Sequence, residues 1–281
     1  MLANLVLVFR EVLEAALIIS IVAAATRGVS GRGLWISGGV LVGLLGAAIV
    51  AGFAGAIGDS MSGMGQEWFN AGILLAAVVM ISWHVVWMAR HSRELAAQMK
   101  SVGLAVSQGS RPMTALLVVV ALAVLREGSE VVLFGYGLMA SGASMGSLLV
   151  GGLLGLALGS VLGLALYFGL LKIPVRHFFS ATNALLILLA AGLASSAAGK
   201  LVQADALPTL ADQLWDSSWL LSDDSVLGRV MHALVGYTAQ PSGIQMVFYA
   251  ATVLLLLVGM RLSRAPAPQP HTAASAPRAM A

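Results

Sequence analysis

The chain has 281 residues, of which 59% are hydrophobic and 10% are charged, and its formal net charge is +3. Soluble domains carry about 25% charged residues, so this chain has too few charges to cover a water-soluble globule of its length. The sequence contains no cysteine, which excludes disulfide scaffolds, zinc ribbons and thiolate-ligated clusters. The basic residues are spread over several loops, a distribution that does not suit a nucleic-acid partner. The composition predicts an all-α protein whose main partner is the lipid bilayer.

Seven apolar runs are long enough to cross a bilayer, which takes about 20 helical residues. We predict transmembrane helices at 2–25, 34–57, 67–89, 113–139, 144–171, 178–200 and 245–262. The first run is not a signal peptide, because no basic segment precedes it and charges at 10, 11 and 14 interrupt it. Every basic loop falls on one side, so the positive-inside rule places the N-terminus outside and the C-terminus in the cytoplasm.

The remaining segments have distinct compositions. Residues 201–244 form an outer loop whose apolar-periodic stretches, such as 226–235, predict small helices over the outer mouth. Residues 265–281 are rich in proline and alanine, and they predict a disordered cytoplasmic tail. Residues 1–264 are therefore predicted to form one transmembrane domain.

A charged motif, Arg-Glu-x-x-Glu, occurs at 10–14 in the first span and again at 126–130 in the fourth span, 116 residues later. Small residues recur at every fourth position in the second and fifth spans, and the stripes match at the same offset. We therefore predict two repeats, about 1–100 and 110–205, followed by a seventh helix. Because each repeat has three spans, the two would be inverted in the membrane, as in many transporters. The stripes alone are also typical of ordinary close helix packing.

The two motifs place charges inside predicted membrane spans. The carboxylates belong to Glu11, Glu14, Glu127 and Glu130, and the arginines are Arg10 and Arg126. Three charges at a helix centre cost about 8 to 10 kcal/mol, so these helices must face protein or water. In an inverted repeat the two acidic faces would meet near the midplane with a formal charge of minus two. This deficit predicts a site for a hard, multivalent cation with oxygen ligands.

A second interpretation is that each arginine pairs with one glutamate and locks the helices together. That arrangement accounts for two of the four carboxylates and leaves the other two to be protonated or neutralised.

The two motifs in a seven-span chain resemble those of the oxidase-dependent iron permease family, which includes the fungal high-affinity iron permeases and the bacterial EfeU-type ferrous iron permeases. The similarity extends from Phe9 to about Tyr249 and includes Gln66-Glu67, Ala191-Gly192-Leu193, Gly236-Tyr237 and Pro241-Ser242. The resemblance implies iron import across the plasma (inner) membrane, with Fe²⁺ or Fe³⁺ as the transported substrate and no permanent cofactor. It also implies an outer-side ferroxidase or iron-binding partner.

Carried onto this chain, the resemblance assigns the four motif glutamates to iron and the two arginines to charge balance. The chain departs from the bacterial pattern at Val12 and Ser129, and it lacks a second glutamate shortly after Glu67. These departures bear on the gate and on metal preference.

Four further polar residues are candidates for the route of the ion. Asp59 and Glu67 could gather cations at the entrance, and Asn183 could act at a gate because it lies 116 residues after Glu67. His84, near the inner end of the third span, could receive a proton or metal at the exit. Ordinary alternatives are solvated acidic loops, a helix-start asparagine and a hydrogen-bonded interface histidine.

The sequence thus predicts an iron permease and leaves rival functions open. A permease for manganese, lead or another divalent metal is one, and a purely structural partner of an oxidase complex is another. A membrane-embedded di-metal enzyme is disfavoured, because no glutamate is followed three residues later by histidine. The oxidation state of the metal, the driving force, a homo-oligomeric state and the identity of the oxidase are left open.

Overall fold

The structure is a computed structural model, and it describes residues 1–60, 66–168 and 175–263. Helices are the only regular secondary structure in these ranges, in agreement with the predicted all-α class. Their bounds are α1 Leu2–Ala25, α2 Arg32–Ser60, α3 Gln66–Ser107, α4 Thr114–Ala140, α5 Met145–Tyr167, α6 Val175–Gln203, α7 Val226–Val235 and α8 Gly243–Ser263. The predicted tail at 265–281, the end of the predicted fifth span and the side chain of Asp59 lie outside the described part.

Five helices in the described ranges are long and apolar enough to cross a membrane, as a multi-pass membrane protein requires. These stretches are Arg32–Ala56, Gln66–Met88, Met145–Tyr167, Phe179–Gln203 and Gly243–Ser263. α1 and α4 have 24 and 27 residues, but any 18-residue stretch of either includes the three charges of its motif. α1 and α4 therefore remain predicted spans. The orientation of the termini also remains a prediction.

α3 is longer than its predicted span. It continues past residue 89 to Ser107 and contains 42 residues, which gives a length of about 63 Å. Charged residues end the apolar stretch, yet alanine, glutamate, glutamine and lysine after it favour a helix, so the backbone does not turn. Near its end α3 packs on the end of α1, where a Cβ added to Gly103 would lie 2.6 Å from the Cβ of Ala25. The predicted span at 67–89 thus matches the apolar stretch Gln66–Met88, and the helix that contains it extends 19 residues further.

The glycine stripes make two closely similar helix pairs. α5 packs along α1, and a Cβ added to Gly155 would lie 2.6 Å from the carbonyl oxygen of Leu5. α2 packs along α4, and a Cβ added to Gly43 would lie 2.8 Å from the carbonyl oxygen of Ala121. Only glycine lets the backbones approach this closely.

The equivalent glycines differ in register from the sequence prediction. Leu5 and Ala121 are 116 residues apart, but Gly43 and Gly155, which contact them, are 112 apart. The stripes therefore match at an offset of 112 residues, which is about one helical turn less than the offset of 116 residues between the charged motifs. The connection at 141–144 is two residues shorter than the connection at 26–31, which accounts for half of this four-residue change.

α1 lies in the interior of the bundle. It contacts α3, α4, α5 and α6, and its buried face carries both polar and apolar residues. Apolar side chains from α1, α3, α4 and α6, including Leu7, Ile81, Phe134 and Leu193, form the core on one side of the charged motif. The charges of α1 thus face protein, as their desolvation cost requires.

Residues 204–242, which we name the outer segment after their predicted side of the membrane, are folded. α7 spans Val226–Val235, which confirms the helix predicted there. Ser225 caps it by accepting the Gly228 N–H at 2.9 Å, and it ends at Gly236 with a φ of 70°. Gly236 lies on Gly192 of α6, where an added Cβ would be 2.6 Å from the Gly236 Cα. This close contact between two glycines fixes α7 on the bundle.

Candidate metal centre

The structure brings the carboxylates of both charged motifs together with one histidine. Glu11, Glu127 and Glu130 form one trio, in which each residue offers a ligand atom within 4.8 Å of the others. Glu11, Glu14 and His84 form a second trio by the same measure. The two trios share Glu11, so they describe overlapping sites between α1, α3 and α4.

In the α1 motif a single guanidinium holds both carboxylates. Arg10 Nη1 lies 2.7 Å from Glu11 Oε1, and Arg10 Nη2 lies 2.7 Å from Glu14 Oε1. All three side chains are buried, and Arg10 is only 1% exposed. The spacing of four residues brings Arg10 and Glu14 to one side of the helix, as the sequence predicted.

His84 of α3 connects the two motifs. Arg10 Nη1 donates to His84 Nε2 at 2.6 Å, while His84 Nδ1 contacts the carboxylate of Glu130 on α4. The sequence placed His84 at a separate exit, but its buried ring lies among the motif glutamates. One of the two trios therefore includes a nitrogen donor, and the prediction of a site with oxygen ligands alone does not describe that trio.

The α4 motif is more loosely held. Arg126 Nε lies 3.2 Å from Glu130 Oε1 and 4.0 Å from Glu127 Oε1, and the Arg126 side chain is 32% exposed. Its guanidinium carbon lies 4.2 Å from the ring centre of Trp87, in a cation–π contact. The Trp87 ring thus stabilises the Arg126 guanidinium, whereas a second close carboxylate and a histidine stabilise Arg10.

Each motif glutamate has an arginine within 4.0 Å, as the alternative helix-locking interpretation expects. The pairing is incomplete, however, because four carboxylates face two arginines. Glu11 Oε2 and Glu127 Oε2 are buried and have no hydrogen-bond donor among the described residues. A buried carboxylate oxygen without a donor is costly, so these two oxygens are suited to bind a cation or a proton.

Of the other sequence candidates, Asn183 lies beside the cluster, while the side chain of Asp59 is outside the described part of the chain. Its side-chain oxygen accepts from Arg10 Nη2 at 3.3 Å. Glu67 lies in the first turn of α3, 17 residues before His84, which places it about 25 Å away along the helix. It is not part of the cluster, and its role at an entrance stays a prediction, as does that of Asp59.

A cavity that sequence reasoning missed lies between α7 and the ends of α1, α4 and α5. Its volume is about 550 Å³, and its lining includes Asn4, Asp223 and His232. Asn4 is 6% exposed, donates to the Leu148 carbonyl at 2.6 Å and has no donor to its own side-chain oxygen within the described chain. Asn4 could have been recognised from its spacing, because it lies two helical turns before Glu11 and therefore lies on the same side of α1.

Several acidic residues of the outer segment hold turns. The Asp223 carboxylate accepts the Ala239 N–H at 3.0 and 3.1 Å, and Asp212 accepts from the Thr209 hydroxyl at 2.8 Å. Ser218 donates its hydroxyl and its N–H to Asp216, which lowers the pKa of that carboxyl group. These contacts agree with the ordinary alternative that the outer aspartates are solvated loop residues.

The chain as a whole is similar to proteins of a known family. A family model described as the Iron permease FTR1 family matches residues 1–264. The chain is 33% identical to a protein named Ferrous iron permease EfeU from Escherichia coli O6:H1 over 280 residues, 98% of each chain. It is also 33% identical to the protein of that name from Shigella sonnei, over 91% of this chain and 94% of the relative. The Yersinia pestis protein of that name is 31% identical over 84% of each chain. No solved structure matches.

Proposed function

The chain belongs to the Iron permease FTR1 family, and from that premise we propose that it imports iron ions across the plasma membrane through the glutamate cluster of α1 and α4. The family match confirms the resemblance found in the sequence. It also confirms a transporter rather than an enzyme, because the relatives are named permeases.

The observation that carries the proposal is the trio of Glu11, Glu127 and Glu130. Their ligand atoms lie within 4.8 Å of one another, and one oxygen each of Glu11 and Glu127 is buried without a donor in the described ranges. Since four carboxylates share two arginines, a cation that binds here gains ligands and relieves repulsion between like charges. An iron ion bound at this point would bridge α1 and α4.

We propose further that the cluster lies near the membrane midplane between inverted repeats of three spans, with α8 as the seventh. Two observations support this arrangement. Glu127 is 13 residues from either end of α4. The contacts of α5 on α1 and of α2 on α4 are equivalent, as expected for two copies of one unit.

The ligand types bear on which metal is carried. His84 adds an imidazole nitrogen to Glu11 and Glu14, and imidazole suits Fe²⁺ better than hard ions such as Mg²⁺ or Ca²⁺. The relatives are named ferrous iron permeases, so we propose Fe²⁺ as the transported form. A manganese permease is the second candidate, because the trio of three glutamates offers oxygen ligands alone.

An outer-side ferroxidase or iron-binding partner is also part of the proposal. The outer segment that would receive it is folded and bounds the 550 Å³ cavity. It also exposes Trp219 and Leu220, which are 83% and 73% accessible. Crosslinking from position 219 in native membranes tests this contact: capture of an outer-side redox protein is expected, and capture of lipid alone would remove the partner from the proposal.

The test of the proposed function is iron uptake by cells that express Glu14→Gln or Glu127→Gln. Both changes keep side-chain size and remove one charge, so uptake is expected to vanish while protein level and membrane insertion stay normal. Glu94→Gln, an exposed residue about 15 Å along α3 from His84, is the matched control. Retained uptake in the two cluster variants would contradict the site. Competition by Mn²⁺ and Pb²⁺ in proteoliposomes then decides among the metals.

A further inference from the structure

Arg10 contacts each member of one of the two trios. Its guanidinium nitrogens lie 2.7 Å from Glu11 Oε1, 2.7 Å from Glu14 Oε1 and 2.6 Å from His84 Nε2. These three residues are also the ones whose ligand atoms lie within 4.8 Å of one another. The positive charge of Arg10 therefore lies where a metal ion bound to these groups would lie.

An ion cannot bind Glu11 Oε1, Glu14 Oε1 and His84 Nε2 while the guanidinium holds these three atoms. Carboxylate and imidazole ligands bind transition metals at about 2.0 to 2.2 Å, and the lone pair of His84 Nε2 already accepts from Arg10 Nη1. Two positive charges so close in a buried site also repel each other strongly. An ion can bind through these three atoms only after the guanidinium has moved away.

Among the described residues, Arg10 has one hydrogen-bond acceptor outside the trio. Arg10 Nη2 already donates to the side-chain oxygen of Asn183 on α6 at 3.3 Å. Arg10 Nε has no acceptor within the described ranges, so the guanidinium is not held by all of its donors. A rotation toward α6 would keep the Asn183 contact and release the carboxylates.

We propose that Arg10 is a built-in competitor of the transported ion. It occupies the trio of Glu11, Glu14 and His84 when no ion is there, gives way when an ion arrives, and returns to displace the ion. This proposal rests on the proposed function. It assigns Arg10 a role in ion release, beyond balancing charge, because a permease must bind its ion weakly enough to let it go.

Arg126 provides the comparison within the same molecule. It has the same place in its motif, but it lies 3.2 Å from Glu130 and 4.0 Å from Glu127, and its guanidinium covers Trp87. It is not inserted among three ligand groups. Removal of Arg126 takes away one positive charge near the cluster without emptying a trio, so it controls for the general effect of charge.

The experiment measures Fe²⁺ binding under anoxic conditions by calorimetry, and Fe²⁺ uptake into proteoliposomes, for the full chain and the variants Arg10→Met, Arg10→Lys and Arg126→Met. For Arg10→Met we expect a dissociation constant at least about tenfold lower and a reduced maximal uptake rate. Arg10→Lys keeps the charge, so its affinity should stay within about threefold of the parent. Arg126→Met should tighten binding by less than about threefold.

Weaker or unchanged binding in a folded Arg10→Met protein would overturn the proposal, and so would equal tightening in Arg126→Met. If Arg10→Met does not fold, Arg10→Met/Glu14→Gln is compared with Glu14→Gln, because removal of Arg10 together with one of its two carboxylate partners leaves one unpaired carboxylate fewer. The double variant should bind Fe²⁺ more tightly than the single variant, and the opposite order would overturn the proposal. If the parent chain itself neither binds nor transports Fe²⁺, the proposed function fails instead.

Discussion

The two Arg-Glu-x-x-Glu motifs have the same residues at the same spacing but different surroundings. In α1 the arginine is 1% exposed and is bound by two carboxylates and a histidine. In α4 the arginine side chain is 32% exposed and lies over a tryptophan ring. The motif therefore does not determine its own environment.

The helix that contacts both motifs is the source of this difference. His84, which contacts Arg10, and Trp87, which contacts Arg126, are three residues apart and lie on one side of α3. α6 adds Asn183 on the side of Arg10. A pair of similar motifs thus becomes one tightly held half and one looser half through the residues of α3 and α6.

The strongest challenge to this contrast compares Glu11→Gln with Glu130→Gln. Glu11 belongs to both trios and is 1% exposed, whereas Glu130 belongs to one trio and its side chain is 13% exposed. We expect Fe²⁺ uptake to fall about 100-fold or more in Glu11→Gln and about tenfold in Glu130→Gln, as the loss of one buried charged ligand costs more than that of a part-exposed one. Equal losses would mean that both halves contribute alike.

The helix pairs offer the opposite comparison, because there the two halves are alike. Gly43→Ala and Gly155→Ala would each push a methyl group into the backbone of the facing helix. Each should lower stability by about 1 to 3 kcal/mol, and by similar amounts. Thermal unfolding of the purified protein measures this. Gly52→Ala is the control, since nothing lies within 4 Å of its added Cβ, and a loss confined to one pair would refute the equivalence.

A smaller effect is expected where α7 packs on α6. Gly192→Ala would place a methyl group against Gly236 and loosen the outer segment, which also contacts α1. Hydrogen exchange of amides in residues 226–242 should become faster, and uptake should fall severalfold because the cavity above α1 loses its cover. Gly146→Ala on α5 has nothing within 4 Å and should leave exchange unchanged. Slow exchange in both variants would show that the contact is dispensable.

The smallest effect concerns the ring beneath Arg126. Trp87→Leu removes a cation–π contact that is worth about 0.5 to 1 kcal/mol at a part-exposed position. Iron uptake should therefore decrease by less than about threefold, with stability almost unchanged. Trp83→Leu, at a residue that is 72% exposed, is the control in the same assay. A loss as large as that of Glu11→Gln would give Trp87 an essential role and remove the contrast between the motifs.

Much of the architecture could be predicted from hydrophobic length and repetition. α1, α4 and α7 begin and end within a residue or two of the predicted bounds, because apolar runs and turn residues limit them. The end of α3 could not be found in this way. Arg90 and Arg93 indicate where the helix would leave the membrane. The residues that follow favour a helix in water as well, so α3 continues.

The candidate site was predictable in its acids and arginines but not in the position of its histidine. Spacing along one helix placed Glu11 with Glu14, and the predicted repeat led us to expect Glu127 and Glu130 beside them. Nothing in the local sequence of α3 shows that His84 faces Arg10, since this contact depends on how three helices cross. The register of the glycine stripes likewise depends on how the helices pack and only in part on the lengths of the connections.

The length of α3 has a mechanical consequence. One continuous rod holds His84 against the charged cluster and continues for 23 more residues to Ser107, a lever of about 35 Å. A tilt of about 5° around His84 would swing the far end by about 3 Å. A pair of spin labels at the Ser107 end of this helix and on the neighbouring end of α1 would record a tilt of this size.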